Sequence, residues 1–149
     1  RIIGGKYRGK AILPPQGYKA RPTTDFAKEG LFNILNNEYE MDGLKVLDLF
    51  GGTGAISYEF ASRGAEMVYC VEMAPLHANF IKSQAAKFGM DNLTVVRHNV
   101  FEFLDNRLMM GDTDGGEINR EKIEDLKMLL KAYRLGVVKP ETIREKLKI

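Results

Sequence analysis

With 149 residues, 44% of them hydrophobic, the chain can build one domain with a real core but is short for a complete doubly wound sheet. No apolar run reaches the 18 residues of a membrane span, and no long apolar stretch follows Arg1 to Gly5 as in a signal peptide. The single cysteine, Cys70, excludes an internal disulfide and reads as a core residue, so a reducing cytoplasmic setting is expected. The net charge of +2 hides an asymmetry. Arg1, Lys6, Arg8, Lys10, Lys19, Arg21 and Lys28 against the lone Asp25 give residues 1–28 a charge of +6, leaving −4 for the remainder. A basic end on a near-neutral body suits a polyanion such as nucleic acid; its plain alternative is a solvated surface segment. His77 and His98 are too few and too scattered for a zinc site, and no metal is expected.

In chain order, Arg1 to Leu13 carries Gly4-Gly5 and Gly9 between short apolar stretches and reads as a β-hairpin. Pro14-Pro15-Gln16-Gly17 breaks it. Arg21-Pro22-Thr23-Thr24-Asp25 is a helix entry, with Thr24 or Asp25 as cap. Phe26, Gly30, Leu31, Ile34 and Leu35 then follow at helical spacing. After the Asp42-Gly43 turn comes Lys-Val-Leu-Asp-Leu-Phe-Gly-Gly-Thr-Gly (45–54). Its apolar run reads as a strand buried on both faces, stopped by Gly51, Gly52 and Gly54. A helix from Ala55 to about Arg63 follows, then a second strand to Val71 with Glu72 at its end. Pro75 opens a further helix whose apolar side is Leu76, Phe80, Ile81, Ala85 and Phe88, with Gly89 as its stop. Leu93 to Val96 is a third strand, followed by Asn99 and a short apolar helix.

Strand, glycine turn, helix is the entry to a nucleotide-binding βα unit; glycine there reaches positive φ and lets the backbone approach a ligand. Asp48, just before the loop, separates this stretch from a phosphate cradle, because Ala55 and Ile56 replace the Gly-Lys-Ser/Thr of a P-loop. An acid there repels phosphate but can hold an ammonium. S-adenosylmethionine (SAM) carries an ammonium, a ribose diol and an adenine, and no phosphate. Glu72, about 24 residues after Asp48, stands where a carboxylate grips a ribose diol in dinucleotide-binding folds. Asn99, at the third strand end, could pair with an adenine edge; Asn after a strand is also ordinary turn chemistry.

Residues 1 to about 106 resemble the bacterial methyltransferase family that modifies guanine N2 in small-subunit ribosomal RNA. The matching pieces are Arg-Ile-Ile-Gly-Gly-Lys-Tyr-Arg-Gly-Lys (1–10), Arg-Pro-Thr-Thr-Asp (21–25) with Glu29-Gly-Leu-Phe-Asn33, Val-Leu-Asp-Leu-Phe-Gly-Gly-Thr-Gly (46–54), and Val71-Glu72. The resemblance implies a SAM-dependent Rossmann-like α/β fold. It implies cofactor contacts from the glycine loop, Glu72 and Asn99, with Thr23 and Thr24 nearby. The basic start, with Arg1, Lys6, Arg8, Lys10 and Arg21, would face RNA.

The family continues with a fourth strand ending in Asp/Asn-Pro-Pro-Tyr/Phe, whose polar groups accept from the target amine and whose ring stacks on the extruded base. Here the prolines are Pro14, Pro15, Pro22, Pro75 and Pro140; the one adjacent pair precedes the glycine loop, with Leu13 in the acid's place. The motif is absent, and no residue is assigned to catalysis. The expectation is a truncated fold with about three parallel strands in the order 3-2-1, an N-terminal hairpin and a helical tail. Residues 1–106 form the partial methyltransferase domain, 107–116 a linker, and 117–149 the tail. In the tail Ile123, Leu126, Leu130 and Tyr133 share one helical face. Three readings stand side by side: a methyltransferase, a SAM- or RNA-binding remnant, and a truncated or fused chain without activity of its own. The first strand's open edge invites self-association or a complementing chain.

Overall fold

The computed structural model of the chain describes residues 1–19, 23–49, 51–100 and 102–103. Helices and strands alternate: α1 is Asp25–Glu38, β1 Lys45–Asp48, α2 Ala55–Ser62, β2 Met67–Glu72, α3 Pro75–Phe88 and β3 Leu93–Arg97. β2 pairs in parallel with β1 on one side and β3 on the other, with Asp48 beside Cys70 and Glu72 beside Arg97. The strand order 3-2-1 is therefore the one the sequence implies, in a truncated Rossmann-like α/β sheet.

Local chemistry sets the boundaries. Thr24 Oγ1 accepts from the Ala27 N–H (3.2 Å) and starts α1. Pro75 opens α3, and Gly89, at φ +73°, closes it. β2 is the central strand and the most apolar, with Val68, Cys70 and Val71 buried. Around Val68 and Cys70 pack Leu31, Phe32, Tyr58, Phe60, Ile81 and Leu93, the Phe32 and Phe60 rings meeting edge-on at 4.7 Å, while Val71 packs with Val100 in a second, smaller cluster.

Four expectations change. The first is the hairpin: residues 1–13 contain no strand. Ile2 N–H donates to Lys10 C=O (2.9 Å) and Gly9 N–H to Ile2 C=O (2.8 Å), but the residues between them bond elsewhere. Lys6 N–H donates to Ser62 C=O (2.8 Å), Tyr7 N–H to Ser62 Oγ (3.0 Å), and Ile3 N–H to Glu59 Oε1 (2.5 Å). The end of α2 thus takes the partners a ladder would use. Gly5 makes this docking possible: at φ +77° its missing Cβ would lie 2.0 Å from Ser62 C=O oxygen.

The second change is on α1, where the buried stripe is Lys28, Leu31 and Phe32, not one beginning at Phe26, which is 88% exposed. Lys28 takes an aliphatic position because Glu59 on α2, also buried, neutralises it at 3.3 Å. The third is on α3, where Leu76 is exposed in the first turn. The fourth is β1, which is not buried on both faces: Leu47 is 40% exposed, and among the described residues its only neighbour is β2. The linker 107–116 and the tail 117–149 lie outside the described residues.

Candidate functional site

The C-terminal ends of β1, β2 and β3 bring Asp48, Glu72 and the turn at Asn99 to one rim of the sheet, with the glycine loop between β1 and α2. The loop is closed internally: Gly51 N–H donates to Val71 C=O (3.2 Å), and Gly54 N–H to Gly51 C=O (2.7 Å). Two of its glycines serve the protein's own packing. A Cβ on Gly51 would lie 2.5 Å from Cys70 Sγ. One on Gly54, at φ +83°, would lie 2.6 Å from the Tyr58 ring and hydroxyl. Ligand approach, the reason the sequence suggests, is thus not needed to explain either. Beneath the loop the Tyr58 hydroxyl is buried without a hydrogen-bond partner among the described residues, and burial pushes its ionisation above the ordinary phenol range.

Glu72 is the best-oriented group on the rim. Its Oε2 accepts from Gly52 N–H (2.9 Å) and its Oε1 from Ala74 N–H (3.1 Å), while His77 Nδ1 stands 3.8 Å from Oε1. Each carboxylate oxygen has a further lone pair, so the two amides aim the group without exhausting it. Asp48 Oδ2 accepts from Ser57 Oγ (2.8 Å), which orients the second carboxylate from the first turn of α2. Together they form a set of oriented acceptors beside a glycine turn, suited to hydroxyl and ammonium donors rather than to phosphate.

Asn99 is shared between two roles. Its Oδ1 accepts from Glu102 N–H (3.3 Å) and its C=O from Phe103 N–H (2.9 Å), which is turn chemistry. Its Nδ2 points at Met73 Sδ (3.6 Å). Met73, just past Glu72, is an exposed apolar side chain on the rim. Thr24 is spent as the α1 cap, and Thr23 is half-buried beside it.

The basic candidates divide. Arg8 and Lys10 are exposed. Lys6 is exposed too and lies 5.3 Å from the Tyr7 ring centroid. Arg1 Nε donates to Asp25 Oδ2 (2.7 Å), which holds the Asp25 carboxyl below its usual range. Lys28 is buried with Glu59 and cannot face a ligand. Arg21 lies outside the described residues. Sequence reasoning missed Tyr18, whose hydroxyl donates to Gly52 C=O (2.5 Å) and whose ring stacks on His77 with centroids 4.2 Å apart. It follows the Pro-Pro-Gln-Gly breaker, and no spacing rule marks it.

Residues 1–113 match the profile of the family described as conserved hypothetical protein 95. Ribosomal RNA small subunit methyltransferase D of Escherichia coli K12 is 36% identical over 104 residues, 70% of this chain and 52% of that protein. Among solved structures, a putative methyltransferase, yhhF, from Escherichia coli superposes with a TM-score of 0.62 at 36% identity, over 70% of this chain and 55% of that one. The chain thus spans about half the length of the curated relatives it matches. A shorter match of 64 residues is 42% identical to part of a class 3 fructose-1,6-bisphosphatase of Fusobacterium nucleatum, covering 42% of this chain and 10% of that protein.

Proposed function

The chain belongs to the conserved hypothetical protein 95 family, the ribosomal RNA methyltransferases its sequence resembles, and from that premise we propose that residues 1–106 bind SAM at the sheet rim and dock on small-subunit ribosomal RNA beside a guanine amino group. The observation that supports the cofactor reading is the Glu72 carboxylate, held by two backbone amides at the end of β2 and adjoining the glycine loop. In this reading Glu72 accepts from the ribose hydroxyls, and Asp48 offsets the ammonium charge. Gly51, Gly52 and Gly54 shape the floor, Met73 and Asn99 border the adenine, and Thr23 and Thr24 flank the site. The donor set fits: it offers acceptors to a diol and an ammonium, and an apolar thioether to a flat base.

When bound, SAM supplies a methyl group on a sulfonium, an electrophile that needs no metal. The chain's own residues bind, orient and exclude water. Arg8, Lys10 and Lys6 contact phosphates, with Arg1 and Arg21 at the margin, and the work is done in the cytoplasm. The Asp/Asn-Pro-Pro-Tyr/Phe motif is missing from these 149 residues, so we assign them binding without turnover on guanine. A second reading, that part of the chain was joined from another protein, draws on the 64-residue bisphosphatase match.

Calorimetry with SAM, alongside transfer of labelled methyl to small-subunit RNA, tests the proposal. Binding without transfer is expected. RNA affinity should fall steeply with salt, as phosphate contacts require. Absence of SAM binding overturns the cofactor reading, and a salt-independent RNA affinity overturns the phosphate reading.

A further inference from the structure

Tyr18 belongs to the basic segment and not to the βα units, yet its side chain lies on the glycine loop. The backbone delivers it there through a turn in which Tyr18 N–H donates to Pro15 C=O (3.2 Å), with Gly17 at φ +84°. Its ring is clamped by His77, stacked with centroids 4.2 Å apart, and by Phe80, edge-on at 5.2 Å. Its hydroxyl donates to Gly52 C=O, while Gly52 N–H donates to Glu72 Oε2 (2.9 Å). Gly52 is therefore held from both ends, by the basic segment at its carbonyl and by β2 at its amide. It sits at φ +58° and has no side chain, so these two bonds do much to set the orientations of the peptide groups on either side of it.

We infer that Tyr18 is a positioning residue: through Gly52 it orients the Glu72 carboxylate, and it couples polyanion binding on the basic segment to cofactor binding on the loop. The inference rests on the function proposed above. Lys19 follows Tyr18 directly and is exposed, and Arg8 and Lys10 are exposed on the same basic segment. A polyanion that immobilises this segment fixes the phenol on Gly52. By linkage, the cofactor must then favour polyanion binding by the same factor. If Tyr18 merely fills space, a phenylalanine there would serve as well, because the ring contacts with His77 and Phe80 remain.

The test uses the full chain with Tyr18→Phe and two readouts. In ligand-free protein, amide hydrogen exchange at Gly51, Gly52 and Gly54 should accelerate about five- to tenfold, as expected for one lost hydrogen bond, while amides in the middle of α3 keep their wild-type rates. In calorimetry, an oligonucleotide of small-subunit RNA should tighten SAM binding to wild type and leave the variant's affinity unchanged. Loop exchange at the wild-type rate overturns the inference whatever the ligands do. A variant that retains the full RNA–SAM coupling overturns it as well. A wild type that binds no SAM sinks the function proposed above, and with it the coupling, while the exchange readout still decides whether Tyr18 positions the loop.

Discussion

Replacing Glu59 with Gln should cost about 3–5 kcal/mol of folding stability, the range for stripping one partner from a buried ion pair. The magnitude follows from the surroundings. Glu59 is 0% exposed and faces Lys28 Nζ at 3.3 Å and Arg63 Nε at 3.1 Å, and it accepts from the amides of Ile3 and Gly4. A glutamine keeps the volume, but its NH2 group then points a donor at donors. Its one remaining oxygen can serve either Lys28 and the Ile3 amide or Arg63 and the Gly4 amide, and the other pair is left facing the NH2 group. With a urea m-value of about 2 kcal/mol/M, the midpoint should fall by about 1.5–2.5 M, a large part of a small domain's stability of about 5–15 kcal/mol. Lys28→Met alone should cost less, because Glu59 retains Arg63 and two amides. The double variant should be more stable than the sum of the two losses implies. Urea denaturation of all four proteins, followed by circular dichroism, closes the cycle. A loss under about 1 kcal/mol for Glu59→Gln, or additivity within about 0.5 kcal/mol, would refute the buried network as a determinant of stability.

Glu72→Ala should weaken SAM binding by roughly 1–3 kcal/mol through lost charge-assisted hydrogen bonds; unchanged affinity by calorimetry rules out the ribose role. Tyr18 and Tyr58 are both held protonated above the ordinary phenol range by burial, and Tyr18 next by the Glu72 charge. Because their folded values are raised, the stability they contribute is complete below about pH 10 and is lost as pH rises further. Difference absorbance of the wild type against Tyr18→Phe should show no phenolate signal from Tyr18 near the ordinary phenol value of about pH 10 while the protein stays folded; a signal lost from the variant at that pH contradicts this. Gly54→Ala should destabilise the loop and lower the melting temperature, since both φ +83° and the Tyr58 ring oppose a methyl group; a melt identical to wild type argues against that packing. Cutting the chain at Gly111 should cause aggregation or loss of cooperative melting if residues 117–135 cover the edge of β1 that β2 does not pair; a monomeric 1–110 with an unchanged melting temperature settles it the other way.

The rim of the sheet was legible because it obeys local rules. Glycines after an apolar run, an acid at the next strand end and a proline opening the following helix are each read within a few residues. What escaped depends on contacts between distant positions. Nothing near Lys28 says that it is buried; that depends on Glu59, 31 residues later. Nothing near Lys6 says that its amide seeks Ser62 rather than a cross-strand partner. Phe26 reads as core from its hydrophobicity, yet it misses the buried stripe because Lys28, polar by type, has taken that stripe's first place. Tyr18 has no local mark for the same reason, since a tyrosine in a loop gains its meaning from His77 and Gly52.

The docking of the first ten residues on the end of α2 also has a consequence in time. Ile3, Gly4, Lys6 and Tyr7 bind groups on Glu59 and Ser62, so these residues cannot settle until some 55 later ones exist. At about 5–20 residues per second, that is a wait of roughly 3–11 s on the translating ribosome. Throughout it Ile2 has no core to enter, and Lys6, Arg8 and Lys10 trail as a loose cationic thread beside the ribosome's own RNA surface. The segment proposed to recognise ribosomal RNA in the folded protein would thus meet such RNA first as an unfolded one, and completion of α2 is the event that lifts it away.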